Sequence, residues 1–373
     1  MDEHKTKGMT EFLRREIRAW EDLKMPGVKG GGTRRLPKWL PVAAAVTGVA
    51  LLITLAAAFL VPWGSITLPI LGTEQPGGAD NGIVPPADGE SDTQKAEQST
   101  AYETESDTSE RDPYAYDFSV VPEGATPIVP LDISAKQNPV NQTDEVINMQ
   151  EVMAAACRIP APRGKISVLI IHTHTGEGYN REDALYLDAE DEEFARSADG
   201  SDGVVAVGAR LAQKLNEAGI GTIHCKTVFD GESNRESYTR AADAIQAFRL
   251  AYPTLVCVID VHRAATTDES GNIVRTLAVK DGQEIAQTQV MCGMNARETS
   301  KTNLALAMLL HERMNAAFSG SCASVSCKSQ TLNQHLTPFS MTLEIGSCGN
   351  TPEEALAAAD VTASALCTLF QTP

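Results

Sequence analysis

The chain has 373 residues, and its 49 Asp and Glu residues outnumber its 31 Lys and Arg residues, which gives a net charge of −18 at pH 7. This length allows one large domain or two ordinary ones. Because binding to phosphates needs a basic protein face, the charge argues against nucleic acid as a partner.

Residues 39–63 form a long apolar segment, WLPVAAAVTGVALLITLAAAFLVPW, with no charged residue between Leu40 and Pro62. About 20 apolar residues span a bilayer. Trp39 and Trp63 flank the segment as interfacial aromatic residues do, and Lys and Arg residues precede it. The positive-inside rule therefore predicts a cytoplasmic leader over 1–38, a transmembrane helix over 39–63 and an extracytoplasmic remainder. A cleaved signal peptide is the competing interpretation, although this apolar run is longer than a signal h-region.

Residues 64–150 are predicted to be a disordered, acidic, extracytoplasmic linker. The part from 72 to 117 is rich in Glu, Asp, Ser, Thr, Gly and Pro and poor in aliphatic residues. Such a composition cannot bury enough surface to fold, and its like charges keep it extended. The linker would hold the following domain away from the membrane surface.

Residues 151–373 are predicted to form one catalytic α/β domain, because apolar strand-like segments alternate with segments of helical periodicity. This alternation indicates a mainly parallel sheet covered by helices. The predicted strands are 166–171, 220–225, 255–261, 274–279, 287–292 and 339–345, and the predicted helices are 204–218, 235–250, 299–317 and 352–369. We expect the strands 274–279 and 287–292 to form a hairpin-like addition around Asp281 and Gly282.

All the cysteines follow the apolar segment. They are Cys157, Cys225, Cys257, Cys292, Cys322, Cys327, Cys348 and Cys367. An even number outside the membrane allows disulfides, whereas buried free thiols behave as small hydrophobic groups. The spacing contains no CxxC pair, which argues against a zinc ribbon, and it leaves both a reduced set and a disulfide framework open.

Ionisable side chains stand at the ends of three of the predicted strands. They are His172, His174 and Glu177 after the first strand, Asp260, His262 and Arg263 at the end of TLVCVIDVHR, and Glu344 in FSMTLEIG. Because open α/β sheets bind ligands beyond the carboxyl ends of their strands, we expect these side chains to converge at one edge.

The residue types suit a catalytic zinc site, which has three protein ligands and one open position. His174, Glu177 and His262 would be the ligands. Glu344 would accept a proton from water and return it to a leaving amine, a role that suits amide hydrolysis. His172 lies two residues before His174 and would share its strand face, so it is a second candidate for the same ligand.

Further polar residues lie near this predicted edge. Arg263 is a candidate catalytic residue that would clamp a carboxylate or stabilise an oxyanion, with a structural salt bridge as the alternative. Asn333 and Gln334, just before the last strand, are also candidate site residues. His224 and His311 are interpreted as structural or exposed residues.

Taken together, five segments resemble the stage II sporulation protein P family, which comprises membrane-anchored peptidoglycan hydrolases of endospore-forming bacteria. The segments occur in the family's order from Ile166 to the C-terminus: IHTHTGEGY, VVAVGARLAQKLNEAGI, VIDVHR, KTNLALAMLLHERMN and LNQHLTPFSMTLEIGSCGNTPEEA. The resemblance implies a zinc-dependent N-acetylmuramoyl-L-alanine amidase with an accompanying endopeptidase activity. It also implies His174 and His262 as ligands, Glu177 as the third ligand and Glu344 as the catalytic carboxylate.

The resemblance further implies a cellular setting, namely forespore engulfment beside a partner hydrolase that resembles stage II sporulation protein D. The protein would be a single-pass protein of the septal and engulfing membrane, with its C-terminal domain facing the peptidoglycan. In the wider zinc amidase class the acidic ligand lies near the start of the next helix. There this chain has Asp199 and Asp202, so the third ligand stays open.

Two other functions compete with this interpretation. The first is a non-catalytic, membrane-anchored scaffold that binds the wall with the same fold. The second is a hydrolase with a Ser or Cys nucleophile, which the lack of a GxSxG motif and of a cysteine clearly paired with a histidine argues against.

Overall fold

The computed structural model describes residues 112–188, 191, 194–198, 201–231 and 236–371. The predicted leader over 1–38, the predicted transmembrane helix over 39–63 and the first part of the predicted linker lie outside these residues. Within the described ranges, none of the helices combines the length and the apolar character that crossing a bilayer requires.

Thirteen strands occur among the described residues. They are β1 (Thr126–Leu131), β2 (Val140–Asn141), β3 (Ile159–Pro160), β4 (Ile166–Ile171), β5 (Tyr186–Leu187), β6 (Gly221–His224), β7 (Cys257–Ala264), β8 (Ile273–Lys280), β9 (Gln283–Ala286), β10 (Thr288–Gly293), β11 (Ser326–Lys328), β12 (Phe339–Ser347) and β13 (Phe370–Gln371). The α-helices of the same ranges are α1 (Met149–Ala154), α2 (Val204–Glu217), α3 (Ser237–Ala251), α4 (Ser300–Ala317) and α5 (Pro352–Cys367).

The main sheet has seven strands in the order β2-β11-β10-β12-β7-β4-β6. Neighbouring strands are parallel except for β10 and β12, which are antiparallel. The prediction of an α/β domain with a mainly parallel sheet is therefore confirmed, and the antiparallel pair of β10 and β12 makes the sheet mixed. The four strands β12, β7, β4 and β6 run in one direction, so their carboxyl ends meet at one edge.

Helices cover both faces of this sheet. On one face, Val168 and Ile170 of β4 pack in a core with residues of α2, α4 and α5. On the other face, Leu169 and Ile171 pack with Ile245 and other residues of α3. This alternation along β4 follows from the two-residue period of a strand. Complete burial of an aliphatic side chain contributes about 1.5–3 kcal/mol, so these two layers fix the sheet between its helices.

The helices predicted from periodicity are confirmed, with ends within a few residues of the expected ones. The last helix begins with a capping box, because the Thr351 side chain accepts from the Glu354 amide while the Glu354 carboxylate accepts from the Thr351 amide. This arrangement satisfies two amides that would otherwise lack partners at a helix start.

The ordered domain begins earlier than the sequence interpretation placed it. Residues 112–150, assigned above to a disordered linker, include β1, which pairs in parallel with β8 and antiparallel with β5. Ile128 and Val129 of this strand are buried. This strand was not predicted because Pro127 and Pro130 flank its two buried aliphatic residues, and proline normally argues against a strand within a sheet.

The expected hairpin around Asp281 and Gly282 exists, but its second strand was wrongly assigned. Both turn residues have positive φ, 52° and 77°, and they connect β8 to β9 rather than to the strand 287–292. The chain leaves the hairpin at buried Gln287, whose amide group donates to Asp132, to the Ile133 carbonyl and to the Gly320 carbonyl. Beyond Gln287, β10 joins the main sheet beside β12.

Candidate functional site

Three polar side chains lie on one face of the main sheet near the carboxyl ends of β7 and β12. Asp260 and His262 are two residues apart on β7 and so point to the same face. Glu344 on β12 pairs in register with His262, and Ile171 at the end of β4 pairs with Asp260. The face that carries these residues is the one covered by α3.

His262 lies buried between two carboxylates. Its Nδ1 atom is 3.2 Å from Oε2 of Glu177, and its Nε2 atom is 3.1 Å from Oδ1 of Asp260. The Nε2 contact lacks hydrogen-bond geometry, which leaves a buried ring nitrogen without a hydrogen-bond partner. Burial opposes the positive charge, but the two carboxylates outweigh it and raise the pKa of His262 well above its ordinary value.

Glu177 reaches His262 from the turn that follows β4. Its Oε2 atom also accepts from the Arg263 amide at 3.1 Å. The turn is tied to α2 and to a neighbouring loop, because the Glu177 carbonyl accepts from the Val204 amide and the Gly178 amide donates to Ala195. Burial favours the neutral acid, but His262 and Arg263 outweigh it and lower the pKa of Glu177.

Asp260 holds His262 from its other side. The Thr173 amide donates to Oδ1 of Asp260 at 2.9 Å, and the Thr173 hydroxyl donates to Oδ2 at 2.6 Å. Burial raises the pKa of Asp260, but His262 and Thr173 outweigh it, so that the net shift is downward. The sequence analysis located Asp260 at this strand end but assigned it no role. The structure shows its carboxylate in contact with the imidazole of His262.

His174 faces this group from the same turn. Its ring packs edge-to-face against the ring of His262, with centroids 5.4 Å apart. The ring of His174 also packs against Tyr238 in the first turn of α3, with ring centroids 5.7 Å apart and an interplanar angle of 82°. Burial, together with the neighbouring carboxylates, raises the pKa of Tyr238. Sequence reasoning missed this tyrosine.

His172 does not join this group. Its Nδ1 atom lies 3.0 Å from the Val261 carbonyl, and its Nε2 atom lies 2.8 Å from Nε2 of His224. A carbonyl only accepts, so Nδ1 of neutral His172 carries the hydrogen and the His224 nitrogen donates to Nε2. Burial lowers the pKa of His172 to about 4. The pair packs under Gly208 of α2, on the opposite face of the sheet.

The guanidinium group of Arg263 donates hydrogen bonds to three backbone carbonyls. It donates to Gly178 at 3.0 Å, to Ala195 at 3.3 Å and to its neighbour Ala264 at 3.4 Å. These contacts join β7 to the two loop segments around Glu177 and Ala195. The salt bridge offered as its alternative role is absent from the ion pairs of the described residues. A catalytic role for Arg263 stays a prediction.

Asn333 and Gln334 form hydrogen bonds to the elements that surround the site. The Asn333 amide donates to the Tyr238 carbonyl at 2.8 Å. Buried Gln334 accepts from the Gly293 amide and donates to the Met291 carbonyl and the Thr342 hydroxyl. The first contact fixes the start of α3, and the others join β10 to β12.

Glu344 is the remaining carboxylate at the edge, and it is half-buried. Burial and the nearby charge of Glu177 raise the pKa of Glu344, although His262 works in the opposite direction. The next residue, Ile345, accepts a hydrogen bond through its carbonyl from the hydroxyl of buried Tyr179 at 2.8 Å. This bond ties the turn that carries Glu177 to the strand that carries Glu344.

The donor types at this edge fit zinc, since two imidazoles and one carboxylate are ligands that zinc accepts. Two of these donors already face each other, because Nδ1 of His262 lies 3.2 Å from Oε2 of Glu177. As the side chains stand, however, no group of three or more His, Cys, Asp and Glu among the described residues has the spacing of a metal site. Asp202 pairs with Arg181 instead, and Asp199 lies outside the described residues.

The cysteines take no part in this site. All eight lie in the described part of the chain, and none is bonded to another. Cys225, Cys257, Cys292, Cys322 and Cys327 are buried in the core.

Solved structures with similarity to this chain include three N-acetylmuramoyl-L-alanine amidases. The N-acetylmuramyl-L-alanine amidase Ami1 from Mycobacterium abscessus is 13% identical, with a TM-score of 0.34 over 56% of this chain and 99% of that one. The amidase AmiC2 of Nostoc punctiforme is 14% identical, with a TM-score of 0.32 over 55% and 97%. The catalytic domain of CwlV from Bacillus (Paenibacillus) polymyxa var. colistinus is 11% identical, with a TM-score of 0.33 over 54% and 96%.

A search among curated proteins found no significant match. By contrast, the sequence model of one family, described as stage II sporulation protein P, matches residues 84–367. The match includes the turn after β4, the end of β7 and the whole of β12, so it spans every residue of the site described above. This chain belongs to the stage II sporulation protein P family.

Proposed function

We propose that this chain is a zinc-dependent peptidoglycan hydrolase that acts as an N-acetylmuramoyl-L-alanine amidase. The observation that carries the proposal is the convergence of His174, Glu177 and His262 beside Glu344 at one sheet edge. Membership of the stage II sporulation protein P family supports a role in sporulation.

His174, Glu177 and His262 would hold the zinc ion. When bound, zinc supplies a Lewis acid that makes water more acidic and polarises a carbonyl group. Asp260 would orient the His262 ring from its far side, and Thr173 in turn holds Asp260. Such outer partners of a ligating histidine fix its ring orientation.

The reaction we propose is hydrolysis of the amide between the lactyl group of muramic acid and the first alanine of the stem peptide. The oxygen of water bonds to the carbonyl carbon, and the bond from that carbon to the alanine nitrogen breaks. Glu344 accepts the proton that water loses and donates it to the leaving nitrogen. The products are a carboxyl group and a free alanine amine. A carboxyl group with a raised pKa suits this double role near neutral pH.

The cellular setting is part of the proposal. The apolar run 39–63 and its flanking charges support a single-pass anchor with the N-terminus in the cytoplasm. The family resemblance supports action during forespore engulfment, at the septal and engulfing membrane, beside a hydrolase like stage II sporulation protein D. It also supports a second, endopeptidase activity on peptide cross-links of the wall.

The competing function is a membrane-anchored scaffold that binds the wall without cutting it. Two measurements on the full chain in detergent distinguish a scaffold from a hydrolase. They are its zinc content and its ability to solubilise purified sacculi. We expect about one zinc per chain, as in zinc hydrolases. We also expect activity that a chelator abolishes and added zinc restores.

Two variants test which histidine binds the zinc. His174→Ala should lose both zinc and activity, whereas His172→Gln should keep zinc, because His172 faces His224 on the other side of the sheet. A folded wild-type chain that binds sacculi but holds no zinc and releases no muropeptides would establish the scaffold instead.

A further inference from the structure

Tyr238 stands over the candidate site, although no sequence motif pointed to it. It occupies the first turn of α3, the helix that packs on the face carrying Asp260, His262 and Glu344. The ring of His174 packs edge-to-face against the rings of both Tyr238 and His262, at centroid distances of 5.7 Å and 5.4 Å. Tyr238 therefore lies beside the site and contacts one of its candidate ligands.

The backbone of this tyrosine is held at its carbonyl group. Its carbonyl accepts from the side-chain amide of Asn333 at 2.8 Å. Asn333 itself has a φ of 54°, a conformation that Asn adopts more readily than most residues. The preceding residue, Ser237, is buried. These contacts fix the start of α3, from which the ring reaches His174.

The phenol hydroxyl of Tyr238 has no hydrogen-bond partner within the described part of the chain. The side chain is half-buried beside the ring of His174. The charges nearest to it are those of His262, Asp260, Glu177 and Glu344. These four groups belong to the candidate site, which places the side chain of Tyr238 beside it.

We propose that the Tyr238 hydroxyl donates a hydrogen bond to the carbonyl oxygen of the scissile amide and strengthens that bond as the oxygen gains negative charge. This role rests on the proposed amide hydrolysis. It would give the site a hydrogen-bond donor in addition to Glu344, whose carboxylate handles the proton of water. Preorganised donors of this kind stabilise the transition state more than the ground state.

The test is Tyr238→Phe in the full chain, which removes the hydroxyl and keeps the ring against His174. Loss of one such donor costs about 100-fold in kcat. We expect that loss with KM, zinc content and melting temperature close to those of the wild type. Tyr252→Phe, at the far end of the same helix, is the matched control and should keep the wild-type kcat.

A second readout does not depend on turnover. A phosphonate analogue, in which a tetrahedral phosphorus replaces the scissile carbonyl, should bind Tyr238→Phe about 100-fold more weakly than wild type. The binding of an uncleaved muropeptide to Glu344→Gln should change little when Tyr238→Phe is added.

The outcomes separate the two proposals. An active wild type whose kcat and analogue affinity survive Tyr238→Phe would overturn the role of Tyr238 alone, and would leave its ring as packing for His174. A folded, zinc-loaded wild type that cuts no amide would overturn the proposed function, and the role of Tyr238 with it.

Discussion

His262 on β7 and Glu344 on β12 occupy matching positions on neighbouring parallel strands. Adjacent strands lie about 4.8 Å apart, so an imidazole and a carboxylate are held side by side on one face of the sheet. The pairing depends on the backbone ladder rather than on a loop. It therefore gives a fixed relation between the residue proposed to bind zinc and the residue proposed to move the proton.

Gly208 on α2 should not tolerate even a methyl group. An added Cβ atom would lie 2.5 Å from two ring atoms of His172 and 3.0 Å from Nε2 of His224. Alanine normally favours a helix over glycine by about 1 kcal/mol, but overpacking of a core costs about 1–3 kcal/mol. We expect Gly208→Ala to destabilise the domain in urea unfolding. Gln213→Ala on the exposed side of the same helix is the control, and equal midpoints for both variants would contradict the packing described here.

The buried His172 should stay neutral far below the ordinary pKa of histidine. Burial lowers its pKa to about 4, against 6.5 in the unfolded chain. As the pH falls from 6.5 toward 4, the unfolded chain binds a proton that the folded chain does not, so the folded state loses stability in that window.

The measurement is an NMR titration of the imidazole resonances in metal-free protein, with His172→Gln used for assignment. A His172 pKa near 4 agrees with the burial of the His172–His224 pair. A value near 6.5 would show that the ring is solvated.

Part of the site could be predicted from the sequence, because polar residues directly follow apolar segments that indicate strands. The apolar runs before His262 and Glu344 are long enough to indicate strands, and polar residues at the ends of parallel strands meet at one edge. Asp260 could have been recognised as well, since it lies two residues before His262 and must share its face. Its contact with Nε2 of His262 follows from that alternation.

The choice between His172 and His174 could not be made in the same way. Alternation places the two on one face only if the strand continues, but β4 ends at Ile171. The turn that follows is held by bonds from the Thr175 hydroxyl to the Thr227 carbonyl and from the Gly176 amide to Asp230, and it redirects His174 toward His262. These partners are distant in sequence, so no local pattern contains them.

Tyr238 and β1 were missed for related reasons. Tyr238 reaches His174 only because α3 packs on the sheet and Asn333 fixes the start of that helix. The prolines of β1 made this strand look like a loop in the sequence. Its partner strand β8 lies far along the chain, and hydrophobic periodicity describes only local segments, so the pairing could not be predicted. Both depend on long-range packing rather than on residue order.

Arg263 should act mainly by holding the loops around the site. Its guanidinium donates to the carbonyls of Gly178, Ala195 and Ala264, and a lysine ammonium cannot span the same three acceptors. We expect Arg263→Lys to lose activity and to make the 178–196 segment more susceptible to limited proteolysis. Lys214→Arg on α2 is a control for the exchange of one cation for another. Loss of kcat with an unchanged proteolysis pattern would instead favour direct action on the substrate.

The central claim is that Glu344 moves a proton during hydrolysis of the muramyl–alanine amide. The most direct measurement is the release of new alanine amino-termini from sacculi by the full chain, together with its zinc content. Glu344→Gln should keep zinc and lower the release about 10²–10⁴-fold, the range for removal of a general acid or base. Glu353→Gln, an exposed residue in the first turn of α5, should behave as wild type. Release of alanine termini by Glu344→Gln as fast as by wild type, or no release by the wild type, would contradict proton transfer by Glu344.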